Sequence, residues 1–352
     1  DTDAATWFGK GESLRSLSRF QDALASYGRA LELNDRVAGS WLGKAECLRF
    51  LHNFDLALEC YEKALNIAPT APALHGKGAC LAMLESFEKS ISAFDLAIAA
   101  VPRHQQDWFG KGESLRRLDR FEEAITALNR ALELDDRDAA AWHSKGESLR
   151  SLSRYEDSLN SYDQALKLLP EDQGSWYGRG ESLRHLGQYD QSVAAFDKAL
   201  RLHPRSAASL FGKGQSLQSL GRFERALVCL DKALRLDSGN PSIWYCKGMC
   251  LLALKRFDKA IAVFDRATSI DPAEAGSWLG KGRGLHGKGW FARAVSSFDE
   301  AIKIDTGFTA AWFSRGESLL GLERYDDAIE SFDKALEIES RHERAWHGRG
   351  FG

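Results

Sequence analysis

The chain has 352 residues, 44% of them apolar, with 47 Lys and Arg set against 50 Asp and Glu. That is ample material for a core and excludes a disordered tail. A formal net charge of -3, with both signs spread along the length, leaves no basic domain to neutralise a nucleic-acid backbone, and nucleic acid is not an expected partner.

Lys, Arg, Asp or Glu recurs every few positions, so no run of about 18 apolar residues offers a membrane span. Residues 1 to 20 carry Asp1, Asp3, Lys10, Glu12, Arg15 and Arg19 without an apolar block and do not read as a signal peptide. The expected setting is reducing and cytoplasmic. Cys47, Cys60, Cys80, Cys229, Cys246 and Cys250 are therefore expected to be free thiols.

Self-similarity organises everything else. Trp stands at 7, 41, 108, 142, 176, 244, 278, 312 and 346, with Leu74 and Leu210 in the two gaps, a period of 34 with one step of 33. With Trp as position four, repeats begin near 4, 38, 71, 105, 139, 173, 207, 241, 275 and 309, and a partial eleventh begins at 343. The first repeat predicts two amphipathic helices on either side of a polar break at Ser18-Arg19. The same pattern follows in each later repeat, with breaks such as Asp119-Arg120 and Gly187-Gln188. Position eleven is Leu from Leu14 to Leu319, position seventeen is Phe or Tyr, and position twenty-seven is Ala. Linking turns often hold proline, as at Pro69, Pro102, Pro170, Pro204 and Pro272, which stops the preceding helix. The third repeat loses one residue between Pro69 and Leu74. The ninth has Gly287, Lys288, Gly289 and Trp290 around its internal turn.

Position eight is Gly except at Ala45, and position six is Gly in most repeats. Gly inside a helix costs about 1 kcal/mol relative to Ala. Its recurrence at fixed phase predicts two closely crossing helices, with the Ala of positions twenty and twenty-seven as small partners. A helical hairpin cannot cover both of its apolar faces, so neighbours must stack into an all-α solenoid. The whole of 1–352 is expected to be a single array.

Trp at four, Gly at eight, Ala at twenty, an aromatic at twenty-four, Ala at twenty-seven and Pro at thirty-two together resemble the tetratricopeptide repeat, over essentially the whole chain. The resemblance implies a right-handed superhelical solenoid of ten helix-turn-helix units plus a partial eleventh. It also implies that the first helices line a concave groove that holds proteins or peptides, without catalysis, metal or cofactor. Chaperone-docking members of that family use Lys and Asn where this chain has aromatics and Glu, so a terminal-carboxylate clamp is not expected.

One departure concerns position seven, usually Leu in that family but Lys or Arg here, from Lys10 through Arg349. Position twenty-five is acidic at Glu62, Asp95, Asp163, Asp197, Asp231, Asp265, Asp299 and Asp333. The two positions are expected to meet as a ladder of ion pairs, setting register more than stability.

Positions five, nine and twelve share one stripe of the first helix. Position five supplies rings at Phe8, Phe109, His143, Tyr177, Phe211, Tyr245, Phe313 and His347. Positions nine and twelve supply Glu12 and Arg15, Glu46 and Arg49, Glu113 and Arg116, Glu147 and Arg150, and Glu181 and Arg184. An extended partner could lay apolar groups on exposed rings and pair its charges with Arg. The alternative is that each Glu and Arg simply pair on a solvated face. The third repeat breaks the motif with Ala79, Ala82 and Met83. The seventh to ninth break it with Gln215 and Gln218, Met249 and Leu252, and Arg283 and His286. These are places where selectivity could reside.

Gly282, Gly284 and Gly287 spell G-x-G-x-x-G, but no strand precedes them, so they do not read as a nucleotide loop. Cys246, Met249 and Cys250 could offer sulfur to a metal, yet position ten also takes Cys47 and Cys80 and wants a small buried side chain. The expected function is a non-catalytic scaffold for an extended peptide or protein surface. The alternative is a sensing or regulatory arm of a larger multidomain enzyme or signalling protein, with further domains in the same parent chain.

Overall fold

The computed structural model describes residues 3–339. Trp346, His347, Arg349 and the partial repeat from 343 lie outside the described residues. Among the described residues there are twenty α-helices and no strand. The chain divides into two compact bodies, Asp1–Gly178 and Arg179–Gly352.

In order, the first four repeats hold α1 (Ala4–Ser16), α2 (Phe20–Leu33), α3 (Ala38–Phe50), α4 (Phe54–Ile67), α5 (Ala71–Met83), α6 (Phe87–Ala100), α7 (Gln105–Arg117) and α8 (Phe121–Leu134). The next three hold α9 (Ala139–Ser151), α10 (Tyr155–Leu168), α11 (Gln173–His185), α12 (Tyr189–Leu202), α13 (Ala207–Ser219) and α14 (Phe223–Leu236). The last three hold α15 (Pro241–Ala253), α16 (Phe257–Ile270), α17 (Ala275–Gly287), α18 (Phe291–Ile304), α19 (Thr309–Leu320) and α20 (Tyr325–Ile338). The missing residue of the third repeat falls in the turn between α4 and α5, as expected.

Within each body, a first helix packs on its own second helix and on the second helix of the preceding repeat. It is therefore buried on two sides, whereas each second helix leaves one face in water. The internal turns share one construction. In the first repeat the N–H of Ser18 donates to the carbonyl of Arg15 and that of Arg19 to Leu14. This is the paired C-terminal cap that needs a left-handed residue. Ser18, His52, Glu85, Asp119, Ser153, Lys255 and Glu323 adopt positive φ at this site, as do Gly187, Gly221 and Gly289. The Trp at position four fastens the linking turn. Its indole N–H donates to the carbonyl six residues earlier, from Trp41 to Asp35 (2.8 Å) and from Trp278 to Pro272 (3.0 Å).

The recurring glycines make room for the ring at position twenty-four, not for the Ala of positions twenty and twenty-seven. A Cβ on Gly248 would lie 2.5 Å from Phe264, and one on Gly280 in the next repeat 2.3 Å from the same ring. Tyr27 is likewise wedged between Gly11 and Gly43, and Phe94 between Gly78 and Gly110. Each of these core rings thus sits between a glycine of its own first helix and one of the next. Where position twenty-four is the smaller Leu128 or Leu230, the next repeat carries Ser144 or Cys246 in place of Gly. Ser314, opposite Phe298, departs from this rule. Phe298 lies close to its own Gly282, whose Cβ would be 2.4 Å away.

The expected ladder forms between repeats. Lys77 meets Glu62 (3.0 Å), Lys111 Asp95 (2.6 Å), Lys213 Asp197 (2.5 Å), Lys247 Asp231 (2.7 Å), Lys281 Asp265 (2.8 Å) and Arg315 Asp299 (2.8 Å). Several of these cations also lie over the position-four indole, Lys281 at 5.0 Å from the ring of Trp278.

Candidate partner-binding face

The rings at position five are half-buried, which corrects the expectation of an exposed apolar stripe: Phe8, Phe109, His143, Tyr177, Phe211, Tyr245 and Phe313 all share this state. The cause is local. Where the repeat has a core ring, the position-five ring tilts onto it, Phe8 on Tyr27 (6.1 Å between centroids), His143 on Tyr162 (5.8 Å), Tyr245 on Phe264 (6.2 Å) and Phe313 on Phe332 (5.7 Å). It also covers position two of the next first helix, where Gly39, Gly174 and Gly276 leave space. Met249 and Phe211 are partly buried against the core cluster of the C-terminal body.

Glu and Arg of positions nine and twelve do pair with each other. The separations are 2.7 Å for Glu12 with Arg15 and Glu46 with Arg49, 3.0 Å for Glu113 with Arg116, and 2.8 Å for Glu181 with Arg184. The expected free guanidinium forks are therefore largely engaged. The face is not simply solvated either, since the core tyrosines reach it. Tyr27 donates its hydroxyl to Glu12, and Tyr61 donates to Glu46. Burial works to raise the pKa of Glu12, but hydrogen bonds from Arg15 and Tyr27 outweigh it and hold the carboxyl below its ordinary value. Glu113 follows the same balance, with Arg116 and Ser144 outweighing burial.

The fifth repeat is arranged differently. Arg116 spans to the next repeat and takes Glu147 at 3.0 Å, leaving Arg150 3.8 Å from that carboxylate. Tyr162, fully buried, then has no partner for its hydroxyl, whereas an unpartnered Nε is a feature that Arg150 shares with Arg15 and Arg49. Burial pushes the Tyr162 phenol up to about 12, so it stands ready as a donor. Nothing in the sequence signals this, because Tyr162, Glu147 and Arg150 occupy the same positions as Tyr27, Glu12 and Arg15.

In the third repeat, Ala79 and Ala82 replace Glu and Arg, and the missing bulk opens a cavity of about 600 Å³ in the N-terminal body. Its walls are His52, Phe54, His75, Ala79, Ala82, Met83, Phe94 and Phe109, with Arg49, Gln105, Glu113 and Asp138 as polar lining. At one wall His75 Nδ1 lies 2.6 Å from Asp107 Oδ1, and His104 Nδ1 2.8 Å from Oδ2. Sequence reasoning passed over this cluster. Its signal was available, because position three holds Asp107 where other repeats hold Ala, Ser, Thr or Ile. In the C-terminal body, Arg283 and His286 line a smaller cavity of about 360 Å³ with Phe313 and Glu317.

Gly282, Gly284 and Gly287 all lie on α17, where Phe298, Ile261 and Phe257 occupy the space their side chains would need. Cys246 and Cys250 are buried in the core, and burial pushes their thiols up to about 11 and about 12. That opposes the thiolate form a soft metal requires. Trp290 is 43% exposed and is flanked by Lys288 and Arg293, 5.4 and 4.9 Å from its ring. Among the described residues no helix is long and apolar enough to cross a membrane.

Tetratricopeptide repeat profiles match residues 8–72, 81–140, 109–157 and 143–207, and another matches 309–342. A profile described as subunit 3 of the anaphase-promoting complex, or cyclosome, matches residues 185–267. Among solved structures, the C-terminal part of a repeat protein from Cytophaga hutchinsonii superposes with a TM-score of 0.56 at 14% identity, over 68% of this chain and 98% of that one. A tetratricopeptide repeat protein from Parabacteroides merdae gives 0.54 at 16%, over 70% and 97%. The anaphase-promoting complex assembly Cut9-Hcn1 gives 0.54 at 12%, over 97% and 94%. Identities this low establish the fold alone. Comparison with curated proteins finds no match.

Proposed function

Because the chain belongs to the tetratricopeptide repeat family, we propose that it is a non-catalytic interaction scaffold, one array over 1–352, that holds an extended peptide along its first-helix face. The single observation that carries this reading is the cavity of the third repeat. There the Glu-Arg pair that lines the face in the other five of the first six repeats is replaced by two alanines, and about 600 Å³ opens beside Phe109 and Met83. A cavity of that size with mostly apolar walls has room for a bulky apolar side chain of a partner together with the residues beside it. Arg150 and the Tyr162 hydroxyl, both incompletely paired, suit a carboxylate or backbone carbonyl further along the same peptide. The half-buried rings supply stiff walls between these points.

The test is binding to an array of extended peptides that differ in one bulky apolar residue and one acidic residue. Ala79→Glu together with Ala82→Arg rebuilds the Glu-Arg pair and is expected to weaken binding of peptides with the apolar anchor by about tenfold or more. Phe109→Ala is expected to act on the same peptides, and Arg150→Glu on those with the acidic residue. Equal binding by wild type and the Ala79→Glu, Ala82→Arg double variant would remove the first-helix face from consideration.

A further inference from the structure

We propose that His75, His104 and Asp107 form a site for a divalent cation of the zinc and cobalt class, at the junction of the third and fourth repeats. The three residues come from separate places: His75 from the middle of α5, His104 from the turn before α7, and Asp107 from the first turn of α7. Their ligand atoms all lie within 4.8 Å of one another. Two imidazole nitrogens and one carboxylate oxygen are a donor set suited to zinc and its neighbours.

The cluster is hard to explain as packing. Asp107 is 1% exposed, and a buried carboxylate is costly unless its charge is met. The other repeats build the same junction with Ala, Ser, Thr or Ile at position three, so the fold does not require an acid there. A carboxylate only accepts, so each ring presents an Nδ1–H to it, and a cation set between the three groups would meet the charge of the carboxylate at this buried position.

Metal–ligand lengths near 2.0 to 2.2 Å place donor atoms of a tetrahedral site roughly 3.3 Å apart. The 2.6 and 2.8 Å contacts must therefore widen by about 0.5 to 0.7 Å, and the widest pair of ligand atoms, at most 4.8 Å apart, must close by up to about 1.5 Å. His104, the more exposed ring at 42% against 23% for His75, sits on a turn and can take up that adjustment. His75 also lines the cavity of the third repeat, so water or a group entering that cavity would complete the coordination.

The experiment uses the full chain, free of any affinity tag and stripped with a chelator, titrated with Co²⁺ and read by its visible d–d absorption, then displaced with Zn²⁺. One equivalent of Co²⁺ is expected to give the band. His75→Phe, His104→Ala and Asp107→Ser are each expected to weaken it by about a hundredfold, since even the loss of a supporting partner costs 10- to 100-fold. Phe at position five and Ser at position three occur in other repeats, so these chains should fold, which circular dichroism checks. No band at one equivalent, unchanged affinity in the three variants, or a near-ultraviolet sulfur-to-cobalt band from the cysteine helix would each overturn the proposal.

Discussion

Replacing Gly280 by Ala isolates the contact that couples one repeat to the next. Helix propensity alone favours the change by about 1 kcal/mol, because Gly280 lies inside α17. Against this, the added Cβ would stand 2.3 Å from Phe264 Cζ, more than 1 Å inside ordinary contact, on a ring that is fully buried. Overpacking of a dense core costs about 1–3 kcal/mol, and an overlap this deep on a buried ring takes the upper half of that range, so a net destabilisation of about 1–2 kcal/mol is expected. The sequence supplies the compensating change, since repeats with Leu at position twenty-four are followed by Ser144 or Cys246. Phe264→Leu alone is expected to cost about 1 kcal/mol, and Gly280→Ala in that background to be neutral or stabilising. The coupling in the cycle is then about 2 kcal/mol. Urea unfolding of the four chains, followed by far-ultraviolet circular dichroism, gives the numbers. A penalty for Gly280→Ala that is the same in both backgrounds would refute the account of ring and notch.

The left-handed turn residues predict a second effect: Lys255→Gly, at φ 55°, relieves the conformation that Gly187 and Gly221 already use. It should raise stability by about 1 kcal/mol in the same assay, whereas Gly221→Lys should lower it. Acid should act through Glu113. Its folded pKa is depressed, so its stabilisation is complete above the unfolded value of 4.5 and is lost as pH falls through the lower folded value. Melting temperatures taken between about pH 6 and pH 3 should therefore fall less steeply for Glu113→Gln than for wild type, and parallel curves would contradict the pairing. Burial pushes the thiols of Cys47 and Cys80 up to about 11 and about 12, and all six cysteines are buried. Iodoacetamide near pH 8 should leave the native chain unlabelled and modify it fully in urea, as mass spectrometry would show.

Repeat length, helix pairs and break positions were all legible in the sequence, because each rests on a period of apolar residues that the core enforces. The ladder was legible as well, since Lys247 and Asp231 recur at fixed phase and only the stacking of neighbours brings such positions together. The reason for the glycines was misjudged. The sequence shows that Gly248 and Gly280 are small, but only their distances to Phe264 reveal what fills the space. The rings at position five were expected in solvent because helix phase alone places them on an outer stripe. Phase does not register the next repeat, whose Gly39 or Gly276 lets Phe8 or Tyr245 fold down upon it. The alanines of the third repeat were noticed as a deviation, but a cavity depends on what surrounds them. His75, His104 and Asp107 are separated by up to 32 residues and meet only once the hairpins stack.

The match between a ring and its receiving notch also restricts how such a chain can change length. Excising the seventh repeat would bring Phe196 against Cys246, where a glycine is normally required. Excising the eighth would face Leu230 with the empty notch at Gly280 and leave a hole. Neighbouring repeats are therefore not interchangeable parts: duplication or loss of whole modules is tolerated only where donor and acceptor gauges agree, and the order of repeats is itself inherited information.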